Sequence, residues 1–188
     1  MDKPRLSVVI VSTRPNRTGP AIAQWFESEA RAHGKHEVVL VDLAEENLPL
    51  LDEPNHPRLK QYTQEHTRRW SAKVEASDAF VFVMPEYNFS VAAPLVNAFD
   101  YLFHEWKYKP AGFVAYGGVS GGLRAVQAAK PLLTSLGVMP IPESVSIHGF
   151  PQQMAEGRFV PNEGNTKAAN HMLDELFKWS TALKPLRA

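Results

Sequence analysis

Four stretches of the chain are almost wholly apolar: LSVVIV (6–11), EVVLVDL (37–43), AFVFVM (79–84) and GFVAY (112–116). They are rich in β-branched and aromatic residues and nearly continuous rather than alternating, as in strands covered on both faces. A weaker fifth candidate runs from Val138 to Ile147, where Pro140 and Pro142 suit an edge or irregular strand. Between these runs apolar residues recur at helical spacing. Ile22, Trp25, Phe26 and Ala30 mark a helix over 20–33, and Leu59, Tyr62, His66, Trp70 and Val74 mark one over 57–76. Further helices are predicted over 91–106 and 121–136, and Ala169, Met172, Leu173, Leu176 and Phe177 mark a C-terminal one. Gly34 and Gly137 stand where left-handed C-caps belong.

Strand and helix alternate, which implies parallel βαβ units with right-handed crossovers and helices on both faces of a sheet. No internal repeat or linker interrupts the pattern, so residues 1–188 are expected to form a single domain. Five strands favour an α/β, flavodoxin-like three-layer α/β/α sandwich with a five-stranded parallel sheet of order 2-1-3-4-5. Open parallel sheets bind ligands beyond the C-terminal ends of their strands. The loops after the first, third and fourth strands are therefore the ones to search.

Composition narrows the chemistry. The 188 residues are 44% apolar and 21% charged, and Lys+Arg 20 against Asp+Glu 20 leaves a formal net charge of zero. That balance argues against a protein that grips nucleic acid or an anionic membrane. With no cysteine, thiol nucleophiles, redox pairs, thiolate metal sites and disulfides are excluded, and a reducing cytoplasm is the expected location. Seven histidines are scattered without an HExxH or i, i+4 pair, so no metal site is expected.

The first loop, VSTRPNRTGPAIAQ (11–24), offers Ser12, Thr13, Asn16 and Thr18 as polar groups and Arg14 and Arg17 as cations, with Pro20 in a first helical turn. A helix N-terminus already favours anions, so two cations beside it call for an anionic guest such as a phosphate. No GxxxxGK[ST] and no GxGxxG is present, which disfavours ATP and a tightly held dinucleotide. The second loop opens with Pro85-Glu86-Tyr87-Asn88, directly after a strand. Behind it Phe99, Tyr101, Phe103, Trp106 and Tyr108 are more aromatics than one core-facing stripe needs, so that either some meet a partner subunit or they fill a large core. The third loop, YGGVSGG (116–122), contains G-x-S-x-G, and as a nucleophile elbow it would make Ser120 the serine of a hydrolase. Glu163 with His171, or Glu143 with His148, completes the required chain order.

Together the three loops resemble the NADPH-dependent FMN reductase family, the flavodoxin-like group that includes quinone, chromate and azo-dye reductases. The resemblance rests on VSTR (11–14), PEYN (85–88), YGGVSGG (116–122) and the helix APLVNAFDYL (93–102), in family order. It implies that Ser12, Arg14, Arg17 and Thr18 hold the FMN phosphate. Pro85, Glu86, Tyr87 and Asn88 would line the isoalloxazine, and Tyr116, Gly117, Gly118, Gly121 and Gly122 would border its pyrimidine end. It also implies NADPH or NADH as donor, a small-molecule electron acceptor, a homodimer or homotetramer, and no catalytic side chain, because the flavin carries the chemistry. Val11 stands where the family has glycine and would narrow the approach of backbone to phosphate. Arg124, or Lys107 and Lys109, could meet a pyridine nucleotide. Against this stand a flavin-lacking binding or regulatory module on the same fold and the Ser120 hydrolase; a short chain without an HGGG-type loop disfavours the latter.

Overall fold

Each apolar run becomes a strand: β1 Arg5–Ile10, β2 Glu37–Asp42, β3 Ala79–Pro85 and β4 Pro110–Gly117, with the proline-bearing segment as β5, Met139–His148. The computed structural model describes residues 3–187. The five strands pair in parallel in the order 2-1-3-4-5. Every residue of β3 and β4 is buried, as continuous apolar runs at the centre of a two-sided sheet must be. β5 takes the edge, where its prolines withhold no needed donor, and its pairing with β4 slips between Ala111 and Phe113.

Alternation along the strands divides the core. Val9, Phe80, Phe82 and Phe113 face α3 (Glu65–Glu75), α4 (Ala93–Asp100) and α5 (Leu123–Ser135). Val8, Val81 and Val114 face α1 (Gly19–His33) and α6 (Glu163–Leu183). Gly34 and Gly137 take positive φ, 79° and 73°, as their helix ends require. A one-turn helix α2, Leu43–Glu46, and a short hairpin, β6 Met154–Ala155 with β7 Arg158–Phe159, complete the chain.

Two helices are shorter than their patterns predict. The helix expected over 57–76 begins only at Glu65, because Lys60 turns left-handed (φ 52°) after a 3-10 turn and leaves Leu59 exposed. The Glu53 carboxylate then captures the N–H groups of Thr63 (2.8 Å) and Gln64 (2.9 Å), satisfying donors at the start of α3 from outside the helix. The helix expected over 91–106 stops at Asp100 and resumes as a 3-10 turn, His104–Trp106. This kink carries the Trp106 ring to 4.2 Å from that of Phe99, centroid to centroid. Phe99, Tyr101 and Trp106 are fully buried, so most of the aromatic surplus fills this chain's own core; Phe103 is half-buried and Tyr108 exposed. Among the described residues no helix is long and apolar enough to cross a membrane.

Candidate active site at the carboxyl ends of β1, β3 and β4

β1 runs into Val11, whose N–H continues the ladder to the Val83 carbonyl at 3.1 Å. Its side chain is fully buried in the core cluster that also holds Val9 and Met84. Ser12 follows, 1% exposed, with a hydroxyl that has no hydrogen-bond partner among the described residues. The first residue of α1, Gly19, sits directly against it. A β-carbon at Gly19 would stand 2.3 Å from Ser12 Oγ and 3.1 Å from the Tyr116 hydroxyl. Only glycine lets the helix start approach this closely. Thr18 occupies the N-cap without a side-chain bond, and the first turn of α1 holds no acidic residue. The amino end of α1 is thus left uncapped beside an orphaned buried hydroxyl.

The two arginines of this loop part company. Arg14 is exposed, has no ion pair among the described residues and lines the cavity. Arg17 turns to β2, donating Nη1 to Asp42 Oδ1 (2.5 Å) and to the Ser12 carbonyl (2.5 Å), and Nη2 to Asp42 Oδ2 (2.6 Å). Hydrogen bonding to Asp42 holds the Arg17 guanidinium above its ordinary range.

After β3, the Glu86 N–H extends the pairing to the Tyr116 carbonyl at 2.9 Å. Tyr87 and Ser90 then bridge each other around Asn88 (φ 50°) and Phe89 (φ 65°). Two positive φ values at the centre of a two-residue turn define type I′, which Asn tolerates and Phe adopts only under strain. Tyr87 and Phe89 are consequently held out at the rim, both exposed.

The glycine loop after β4 is shaped by close approach. Gly122 (φ 88°) lies where a β-carbon would be 2.6 Å from that of Ala115, and Gly121 (φ 59°) where one would be 2.8 Å from the His148 ring. Beside Gly118 there is open space. The Ser120 hydroxyl donates to Glu86 Oε2 at 2.6 Å, and no histidine bonds to it. His148 Nδ1 lies 3.1 Å from the Val119 carbonyl instead, and His171 is exposed on α6. The elbow is therefore not a catalytic triad. Glu86 also bonds to the Arg124 side chain, Nε to Oε1 at 2.7 Å, so that guanidinium is engaged within the chain. Burial raises the Glu86 carboxyl, but the Ser120 hydroxyl and Arg124 outweigh it and hold it below its usual range.

These loops enclose a cavity of about 200 Å³ lined by eight of the expected residues: Arg14, Thr18, Pro85, Glu86, Tyr87, Tyr116, Gly117 and Gly118. Ser12 lies beneath the start of α1, Arg17 faces Asp42, Asn88 occupies the rim turn, and Gly121 and Gly122 shape the glycine loop without lining the cavity. Phe150, whose ring packs edge-on to Tyr116 at 5.3 Å, closes one wall and carries no signal in the sequence. Gly19 did carry one, a glycine before Pro20 at a helix start. A larger cavity of about 820 Å³ surrounds Tyr108, Lys109 and Arg187. It lies at the amino end of β4, the wrong end of a parallel sheet for this chemistry, and there Lys109 Nζ caps α3 through the carbonyls of Val74 (2.6 Å) and Glu75 (3.0 Å). Lys107 lines the same distant cavity.

Residues 4–152 match the profile of a known family, described as NADPH-dependent FMN reductase. The chain belongs to this family. The NAD(P)H-dependent FMN reductase C4B3.06c of Schizosaccharomyces pombe is 33% identical over 191 residues, covering 97% of this chain and 94% of that protein. An NADPH:quinone oxidoreductase of Arabidopsis thaliana is 45% identical over 56 residues, 28% of this chain and 29% of its own. Among solved structures, the flavoenzyme NAD(P)H:(acceptor) oxidoreductase FerB of Paracoccus denitrificans superposes with a TM-score of 0.72 at 22% identity, covering 95% of this chain and 98% of its own.

As a member of the FMN reductase family, the chain is an FMN-dependent NAD(P)H oxidoreductase. The residues present fit that cofactor. An uncapped helix start, the orphaned Ser12 hydroxyl and the unpaired Arg14 make a place for a phosphate. Burial pushes the Tyr116 phenol up to about 12, against the nearby Ser12 hydroxyl, which lowers it, so the phenol remains a protonated donor beside Gly19.

Proposed function

We propose that the FMN phosphate is held at the amino end of α1 by Ser12, Arg14, Thr18 and the loop amides, with Arg17 anchoring the loop through Asp42. Pro85 to Asn88 and the loop from Tyr116 through Gly117, Gly118, Gly121 and Gly122 flank the ring. The observation that carries this reading is a contrast between two helix starts. α5 begins at Gly122 without a side chain to cap it, yet the Glu86 carboxylate accepts its Arg124 N–H at 3.1 Å. The start of α1 has no such internal anion. Of these two helix starts, the one at α1 is therefore left for a phosphate.

Bound FMN supplies two-electron hydride chemistry between NAD(P)H and an acceptor. The chain's part is to fix the phosphate, flank the ring and leave a face open at Gly118. The acceptor is a small molecule, and the Arabidopsis similarity favours a quinone. The zero net charge supports a protein that does not grip nucleic acid or an anionic membrane, and the lack of cysteine supports a cytoplasmic setting. The exposed Tyr87, Phe89, Val119 and Leu123 around the rim support a homodimer or homotetramer of single-domain chains.

Comparing FMN with riboflavin tests the phosphate assignment. Fluorescence titration should show FMN bound at least tenfold more tightly; equal affinities would remove the phosphate from α1. NADPH oxidation in the presence of a benzoquinone, an azo dye and free flavin then ranks the acceptors.

A further inference from the structure

The Glu86 side chain is 4% exposed yet belongs to a cavity wall. Everything it bonds to lies in the glycine loop or the start of α5, more than 30 residues away in the chain. Ser120 Oγ (2.6 Å) and the Arg124 N–H (3.1 Å) donate to Oε2; Arg124 Nε (2.7 Å) donates to Oε1, with Nη2 at 2.6 Å from the same oxygen. On its outer side the Arg124 guanidinium covers the Phe89 ring, 3.6 Å from carbon to centroid. Phe89 is the strained residue of the type I′ turn that leads away from Glu86. The turn, the arginine, the carboxylate and the serine thus clasp the 85–90 loop to the 117–122 loop. Strain of this kind persists only where its surroundings hold it.

We infer that Glu86 is a positioning residue for the flavin ring, acting through Ser120 and Arg124 to fix the glycine loop against the loop that follows β3. The inference rests on the proposed FMN site. Glu86 replaces the side-chain cap that Gly122 cannot supply, and it neutralises Arg124 in the first turn of α5. Once the clasp opens, the backbone of Gly117 and Gly118 loses its fixed place opposite Tyr87. Ser120, in the elbow position of the sequence, serves here as a hydrogen-bond donor to the clasp.

The two oxygens allow the clasp to be dissected. In E86Q an amide oxygen can still accept from Ser120 and the Arg124 N–H, while the amide NH2 meets the Arg124 side chain and breaks that half. E86A removes both halves. Flavin-stripped full-length protein is titrated with FMN and with riboflavin, following flavin fluorescence and the visible circular dichroism of the bound ring. E86A should weaken both ligands about tenfold and alter the dichroism, whereas E86Q should weaken both about threefold and recover most of the parental spectrum. S120A should weaken binding about threefold in the parent and not at all in E86A. Should E86A fail to fold, the E86Q spectrum and the S120A titration carry the test.

Parental affinity and dichroism in E86A overturn the inference, as does an S120A effect of equal size in the parent and in E86A. In the E86Q and S120A arm, parental values for both variants overturn it too. A parent chain that binds neither flavin overturns the FMN reading itself, and this inference with it.

Discussion

Arg17 grips Asp42 with both prongs of its guanidinium while holding the Ser12 carbonyl, tying the loop after β1 to the end of β2. Asp42 also accepts the Ala44 N–H at 3.0 Å, so one carboxylate caps α2 and anchors the loop. Both side chains are largely covered, 18% and 11% exposed. Removing either leaves its partner largely covered and without its ion pair. Arg17→Ala and Asp42→Asn should each cost about 1–3 kcal/mol in denaturant unfolding of the flavin-free protein, and weaken FMN as a secondary effect. Unchanged unfolding midpoints would show that the pair does not anchor the loop.

Arg14 should behave in the opposite way. It has no ion pair among the described residues, so Arg14→Ala should leave the unfolding midpoint alone. FMN should bind about 10–100-fold more weakly, the loss of one charge-assisted contact of about 1.5–3 kcal/mol, while riboflavin is unaffected. Equal losses for both ligands would move Arg14 away from the phosphate.

Gly19→Ala tests the close approach beneath the phosphate. The added methyl would need the space of Ser12 Oγ, 2.3 Å away, and so must displace the orphaned hydroxyl. FMN binding should fall at least tenfold, with a smaller loss for riboflavin, in calorimetric titrations.

His36 predicts an acid transition unconnected with the site. It is 4% exposed, neither ring nitrogen has a partner among the described residues, and burial, helped by neighbouring His33 and Lys35, pushes its pKa down to about 4. The unfolded chain, with an ordinary value near 6.5, binds the proton first. Stability should therefore fall as pH drops below about 6.5 and level off near 4, by at most about 3 kcal/mol. His36→Phe should remove this component from the pH dependence of the unfolding free energy; overlapping profiles for variant and parent would refute it.

The strand runs were readable because both faces of the sheet are buried, which leaves long apolar segments that few other structures use. Helix limits were readable only where a local signal marks them, as Gly34 does. Leu59 and Tyr62 keep helical spacing ahead of α3 although the chain there is a 3-10 turn followed by a loop, because the deciding contact is Glu53 reaching Thr63 and Gln64. The site shows the same division. Its three loops could be located from strand ends and motif residues. Arg14 and Arg17 look alike in the sequence, and only Asp42, 25 residues further on, separates a free cation from a paired one. Likewise Glu86 reads as a ring-lining residue until Ser120 and Arg124, distant in sequence, are brought onto its carboxylate. Residue types announce what chemistry is available; long-range pairing decides which groups remain free to perform it.

The most direct test of this account is the visible absorption spectrum of the purified protein with FMN, recorded before and after anaerobic addition of NADPH or NADH. The account predicts a protein-bound flavin spectrum that bleaches with either donor and returns when a quinone is admitted. Flavin that stays free in solution, or that binds and is bleached by neither donor, would contradict it.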